Sequence, residues 1–225
     1  MARFDKAHGD LLRWRDSRDA ILAARSPSPE LACAICAVDA AFKAEVLEFR
    51  IRRALYAQVM NEAEVSRVQQ HETMTGQHSW DFDWWLTEST MRATDAGVDA
   101  IAQLLNLGLE LGANAEATTL PMDVAKILAG RSDTALVSKA VQNLRESPEC
   151  CGIRAFVNYV KHAGFPDRTM HALPSDARRI TQIEQFVYRS DSFGPWTPDD
   201  IDSMLDGWRL HATAVIDALV RATTP

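Results

Sequence analysis

The chain has 225 residues, 47% of them hydrophobic, with 24 Lys and Arg against 31 Asp and Glu. The apolar fraction excludes an intrinsically disordered chain, and ten Gly and nine Pro exclude a collagen-like or low-complexity sequence. A net charge of −7 argues against a general nucleic-acid coat protein, because phosphate binding needs a positive surplus.

The start of the chain shows no targeting pattern. Residues 1–19 carry charges throughout and no apolar core, unlike a secretory signal. The best apolar stretch, 101–111, is shorter than the roughly 20 residues of a membrane span. We therefore expect a soluble, cytoplasmic protein with no membrane contact. Abundant Ala and a strong excess of Arg over Lys indicate a GC-rich, bacterial source.

The four cysteines form two close pairs, Cys33 with Cys36 and Cys150 with Cys151. The first pair lacks the Gly, Pro or polar residues of a zinc knuckle, and the second has the wrong spacing for one. The sequence therefore predicts no metal and no cofactor. Small buried thiols in a reducing compartment are the expected state.

Helical periodicity dominates the first half of the chain. A first helix is predicted from about Arg3 to Ala24, and the Pro-rich segment 26–29 ends it. Ser28 is the expected N-cap of a long second helix from Glu30 onward, which breaks after Asn61. Residues 76–79 read as a turn, and Asp81 as the cap of a third helix that ends near 108–114.

Shorter helices are predicted next, over 121–129, from Asp133, and from Pro148 to Gly164 with Ser147 as N-cap. Residues 165–197 differ, and we expect a small hairpin or irregular insertion there; a helix over 176–188 is the alternative. Thr197-Pro-Asp-Asp opens the last helix. The prediction is a single all-α domain over 1–225, a helical bundle of six to eight helices.

Charge is unevenly distributed. Residues 81–124 hold eight acids and one base, whereas 131–190 hold nine bases and six acids. A locally basic face is therefore compatible with an acidic chain. The alternative is that the acidic and basic elements pack side by side and partly neutralise each other.

The most organised polar group lies on the helix after Pro148. Arg154, Asn158, Lys161 and His162 occupy positions i, i+4, i+7 and i+8, which share one stripe at about 100° per residue. Arg, Lys and His could together bind a phosphate or an acidic partner, and the His could move a proton. The structural alternative is a solvated face whose Lys161 and His162 favour the helix dipole.

This segment resembles the Asn-x-x-Lys-His helix of several groups of bacterial all-helical proteins. Some of these are HEPN-like, a superfamily that includes RNases and partners of nucleotidyltransferases in toxin–antitoxin and phage-defence systems. The resemblance covers less than a third of the chain. It implies an RNA-directed site at Arg154 and His162. However, the catalytic signature has four to six residues between Arg and His, and here there are seven, so it favours a non-catalytic relative.

Three further groups are weaker candidates. Glu45-x-x-Glu48 matches half of the magnesium motif of all-helical pyrophosphatases, but no Glu-x-x-Asp follows at the needed distance. His and acidic residues cluster over 71–83 without a known ligand spacing. Trp80, Trp84 and Trp85 form an aromatic patch that suits a partner anchor or the core.

The absence of catalytic motifs and the long amphipathic helices favour a protein that acts by binding rather than by chemistry. We expect a homo-oligomer, with a protein partner as a further possibility and nucleic acid as a less favoured one. The alternative is an RNA-directed HEPN-like enzyme or toxin and defence component that uses Arg154 and His162.

Overall fold

The protein is an all-α helical bundle with a small β insertion. The computed structural model describes residues 2–25, 28–44, 46, 68–117, 119–172 and 179–223, with side chains at 2–4, 68–86, 170–172, 179–181 and 198 outside that description. The helices are α1 (Ala2–Ala24), α2 (29–44), α3 (Val68–Gly108), α4 (Leu120–Ala129), α5 (Ala135–Glu146), α6 (Pro148–His162) and α7 (Pro198–Thr223). The strands are β1 (Arg168–Ala172), β2 (Arg179–Ile183), β3 (Phe186–Tyr188) and β4 (Asp191–Phe193).

Two predicted helix starts, those at Ser28 and Thr197, are confirmed by their caps. The Ser28 hydroxyl accepts a hydrogen bond from the Leu31 amide at 3.1 Å. At the start of α7, the Thr197 amide donates to the Asp200 carboxylate at 2.8 Å, and the Asp200 amide donates to the Thr197 hydroxyl at 3.3 Å. The single bond at Ser28 and the reciprocal pair at Thr197 and Asp200 satisfy amides that have no partner within the helix.

Two boundary predictions are wrong. The chain is helical through 76–79, so neither the turn nor the cap at Asp81 exists, and α3 runs unbroken from Val68 to Gly108. A single Gly costs a helix only about 1 kcal/mol relative to Ala, which neighbouring residues outweigh. The alternative of a helix over 176–188 is also wrong, because Arg179–Ile183 and Phe186–Tyr188 are strands.

The insertion consists of two antiparallel hairpins. β1 pairs with β2, and β3 pairs with β4. Backbone hydrogen bonds of 2.8 Å in both directions join Ile183 to Trp196 and hold the end of the insertion together. Phe186 and Trp196 then contact Phe156 of α6, with ring centroids 6.4 Å from it in each case. The insertion therefore seats on α6 through an aromatic cluster.

Helix α7 is the central element, packed against α1, α3, α5 and α6. Trp208 of α7 contacts Phe42 of α2, which stacks on Trp14 of α1 at 5.8 Å. Gly97 of α3 allows the close approach of Trp208, because a Cβ there would lie 2.8 Å from its Cζ2 atom. The aromatic side chains thus tie the two ends of the chain into one hydrophobic core.

An ionic network is buried between α1 and α7. The Arg209 side chain, 2% exposed, lies with its Nε atom 3.3 Å from an oxygen of Asp10, which is itself 6% exposed. Arg209 also pairs with Asp206, and Asp10 with Arg13. Charges out of water must be paired, so this network fixes how α1 sits along α7.

Candidate functional site

The predicted polar stripe on α6 begins from a well-defined helix start. The Ser147 hydroxyl accepts a hydrogen bond from the Cys150 amide at 3.1 Å, with Pro148 in the first helical turn. From that start, Ile153, Phe156, Val157 and Val160 are buried. The stripe of Arg154, Asn158, Lys161 and His162 therefore lies on the other side of the helix, as the periodicity predicts.

Arg154 does not stand alone on this stripe. Its Nε atom lies 3.5 Å from a carboxylate oxygen of Asp95 on α3, and the Arg154 side chain is 39% exposed. A basic residue of the 131–190 stretch thus meets an acidic residue of the 81–124 stretch. The predicted side-by-side neutralisation of the two segments is confirmed at this pair.

The Asn158 side chain bonds to the backbone of its own helix. Its Nδ2 atom donates a hydrogen bond to the backbone oxygen of Arg154 at 2.9 Å, one turn back on the same helix. The side-chain amide is therefore used within α6.

Lys161 and His162 end the stripe in the last turn of α6, and both are exposed. Cations at this position favour the negative end of the helix dipole. The helix stops at Ala163, and Gly164 then takes a φ of +97° that redirects the chain. Phe165 follows with 56% of its surface exposed. A largely exposed aromatic residue thus follows the end of α6.

A second acid faces this stripe from α3. Desolvation by the neighbouring helices raises the pKa of Asp99, although the side chain keeps solvent contact, and the charge of Asp95 raises it further. Arg154 and Lys161 act in the opposite direction and lower this pKa. The positive charges of Arg154 and Lys161 on α6 therefore both act on the Asp99 carboxyl.

We call the group formed by Asp95, Asp99, Arg154, Lys161, His162 and Phe165 the α3–α6 face; Asp95 and Arg154 are partly exposed, and the other four are exposed. Its two acids were missed as site residues by sequence reasoning. The available signal was their i, i+4 spacing, which places both carboxylates on one side of α3. Nothing in the local sequence, however, indicates that this side would meet α6.

The other candidates fall largely outside the description. Trp80, Trp84 and Trp85 lie in α3, but their side chains are outside the described part of the structure, as are those of the 71–83 cluster. Glu45-x-x-Glu48 also lies outside the described residues. Within the described ranges, no three His, Cys, Asp or Glu side chains are grouped to hold a metal ion.

The expectation of buried thiols is wrong for three of the four cysteines. Cys33, Cys36 and Cys151 are exposed, and Cys150 alone is buried. The Ala-rich surroundings of the first pair suggested an apolar environment. The helix, however, turns Leu31, Ala34, Ile35 and Val38 toward the core and leaves both thiols outside.

The comparisons with known proteins give no relative for this chain. It matches no known protein family, and neither a curated protein nor a solved structure is significantly similar to it. Of the helices in the described ranges, none has the length and apolarity to cross a bilayer. The class that the fold defines is an all-α bundle with a two-hairpin insertion.

Proposed function

We propose that the protein acts by non-covalent binding, as a homo-oligomer that assembles through the α3–α6 face. The observation that supports this is the presence of both charge signs where α3 meets α6, with Asp99 on α3 close enough to Arg154 and Lys161 on α6 for their charges to lower its pKa. Complementary charges across an interface fix its register and suppress wrong partners. The expected compartment is the cytoplasm.

A two-fold axis makes such a surface complementary to itself. In an isologous contact the same patch appears on both subunits, so residue i of one copy meets residue j of the other and the reverse. Asp99 of each copy would then face Lys161 of the other, in two equivalent pairs. A surface of one sign could not pair with itself in this way.

Phe165 supplies the apolar part of the proposed contact. Aromatic side chains near the centre of an interface often carry much of the binding energy, and Phe165, three residues after the end of α6, is 56% exposed. Covering it in a partner would remove apolar surface from water. The charges would then determine the specificity of the contact, and the Phe165 ring would supply much of its affinity.

Light scattering coupled to size-exclusion chromatography tests the proposal on the full chain. We expect a dimer at tens of micromolar protein and dissociation at high salt, because exposed charges are screened. Lys161→Glu and Asp99→Lys should each weaken the dimer at least about tenfold, since each places like charges together. The double charge swap should restore it, whereas Lys139→Glu on α5 is the matched control and should change nothing.

The pH dependence gives a second readout. Because the pKa of Asp99 is raised, this carboxyl loses its charge at a higher pH than an ordinary aspartate. The dimer should therefore weaken on mild acidification, and Asp99→Asn should remove that dependence. A wild-type monomer at tens of micromolar, or a swap that fails to restore association, overturns the proposal.

The RNA-directed alternative has one supporting observation, which is the accessibility of Arg154, Lys161 and His162 on the same face. Against it, Arg154 already pairs with Asp95, so a phosphate would have to displace that carboxylate. Purified protein incubated with RNA in the absence of metal ions tests it. Cleavage that His162→Ala abolishes would support the alternative, and cleavage equal in the variant, or none in either protein, would remove it.

A further inference from the structure

Cys33 and Cys36 present two free thiols on the solvent side of α2. At 100° per residue, both lie about 150° from the centre of the buried stripe formed by Leu31, Ala34, Ile35 and Val38. The two cysteines are one helical turn apart, at positions i and i+3, and therefore share one face. Nothing in the α3–α6 face involves them.

Helix geometry sets what these thiols can do. Positions i and i+3 have Cα atoms about 5 Å apart, which is inside the range that a disulfide spans. Their Cβ atoms are about 5–6 Å apart, whereas a disulfide needs about 3.5–4.5 Å. A bond between them therefore requires local distortion of the helix, and strained disulfides are the readily reduced ones.

The core holds α2 close to its helical geometry. Leu31 and Ile35 are buried on one side of the cysteines, and Phe42 stacks on Trp14 one to two turns further along. The distortion that a disulfide needs is thus opposed by packing on the opposite side of the same turns. A disulfide at this position would therefore be strained, and a strained disulfide is readily reduced.

The second pair of cysteines provides the contrast. Burial raises the pKa of the Cys150 thiol to about 11, so it stays protonated and unreactive near neutral pH. Cys151 is exposed but has only this buried neighbour beside it. Of the four cysteines, all of which are described, Cys33 and Cys36 form the one pair with both thiols accessible.

We propose that Cys33 and Cys36 form a reversible dithiol–disulfide site that reacts with low-molecular-weight disulfides of the glutathione type. One thiolate attacks the small disulfide, forming a mixed disulfide and releasing one small thiol. The second thiolate then attacks the protein sulfur of that mixed disulfide, which closes the Cys33–Cys36 bond and releases the other small thiol. The protein loses two electrons and two protons, and the small disulfide is reduced to two thiols.

The experiment incubates the reduced full chain with oxidised glutathione and reads the products by intact and peptide mass spectrometry. We expect the α2 peptide to lose two hydrogens and to carry no glutathione, and excess reduced glutathione should reverse the change. Cys36→Ser should stop at the mixed disulfide on Cys33. Cys151→Ser is the matched control, because it removes an exposed thiol elsewhere and should leave ring closure unchanged.

Two results would overturn the proposal. One is wild-type protein in which Cys33 and Cys36 stay reduced while Cys151 is modified. The other is wild-type protein that retains glutathione on either cysteine of α2, since the second thiol then fails to displace it. Both variants replace exposed side chains by one of nearly equal size, so folding is preserved and either result is decisive.

Discussion

Removing Asp10 should destabilise the protein more than any substitution of an exposed charge. Its carboxylate lies 3.3 Å from the Nε atom of Arg209, whose side chain is only 2% exposed. Asp10→Ala leaves this guanidinium buried beside Asp206 of α7, with which it also pairs. The loss of one partner of a buried pair costs about 3–5 kcal/mol. Because Asp206 remains, we expect the lower end, about 3 kcal/mol.

Urea unfolding followed by circular dichroism and by tryptophan fluorescence measures this effect. Coincident transitions by the two probes justify a single free energy of unfolding. For a chain of this size, about 3 kcal/mol corresponds to a melting temperature lower by about 6–12 °C. Arg13→Ala is the control, because Arg13 also pairs with Asp10 but its side chain is 64% exposed. It should cost at most about 1 kcal/mol.

A double variant separates charge burial from simple loss of contact. Asp10→Ala combined with Arg209→Met removes both buried charges and keeps an apolar side chain of similar length. Asp206 then retains Lys6 at 3.7 Å and partial exposure to water. We expect this double variant to be at least about 1 kcal/mol more stable than Asp10→Ala alone. If the losses in free energy of unfolding measured for Asp10→Ala and for Arg209→Met alone simply add in the double variant, the two charges are not coupled and the reasoning fails.

Substitutions at three further positions test the packing, a helix cap and a buried thiol, each by the same urea assay. Gly97→Ala places a methyl group 2.8 Å from Trp208 and should cost about 1–2 kcal/mol, since overpacking outweighs the gain in helix propensity; a stabilised variant would contradict this. Ser147→Ala removes the cap of α6 and should cost about 1 kcal/mol, whereas Ser147→Asp should largely keep it. In the folded protein the pKa of Cys150 is raised to about 11 from an ordinary 9.0, so as the pH rises the thiol of the unfolded chain ionises first. Between pH 9 and 11 the free energy of unfolding should therefore fall by about 2 kcal/mol more in wild type than in Cys150→Ala. Parallel pH profiles of the two proteins would refute this prediction.

The local signals of the sequence predicted the helices with good boundaries where caps were present. Ser147 and Thr197 are examples, because a short polar side chain can satisfy free helix amides wherever the surrounding chain permits it. The signal failed at 76–79, where a Gly-containing segment stays helical. The turn propensity of 76–79 comes from a few residues. The 41 residues of α3 together favour the helix more strongly than these few disfavour it.

Only the α6 side of the candidate site could be predicted from the sequence. The periodicity of α6 put Arg154, Lys161 and His162 on one face, since that property depends on a single helix. The facing residues Asp95 and Asp99 come from a different helix, and their position depends on how α3 and α6 cross. The prediction of buried thiols failed for a related reason, because an Ala-rich sequence does not indicate which side of its helix packs against the core.

The charge distribution connects the site to the net charge of the chain. The contact of Asp95 with Arg154 at 3.5 Å pairs a positive charge of the basic 131–190 stretch with an acidic residue of the same protein. A phosphate ligand would have to break this pair and would then lie beside two carboxylates, Asp95 and Asp99, which repel it. A second copy of the same surface meets no such penalty, since it brings bases to the acids and acids to the bases. The charges of the α3–α6 face therefore disfavour phosphate binding, and this supports the proposed self-association over the RNA-directed alternative.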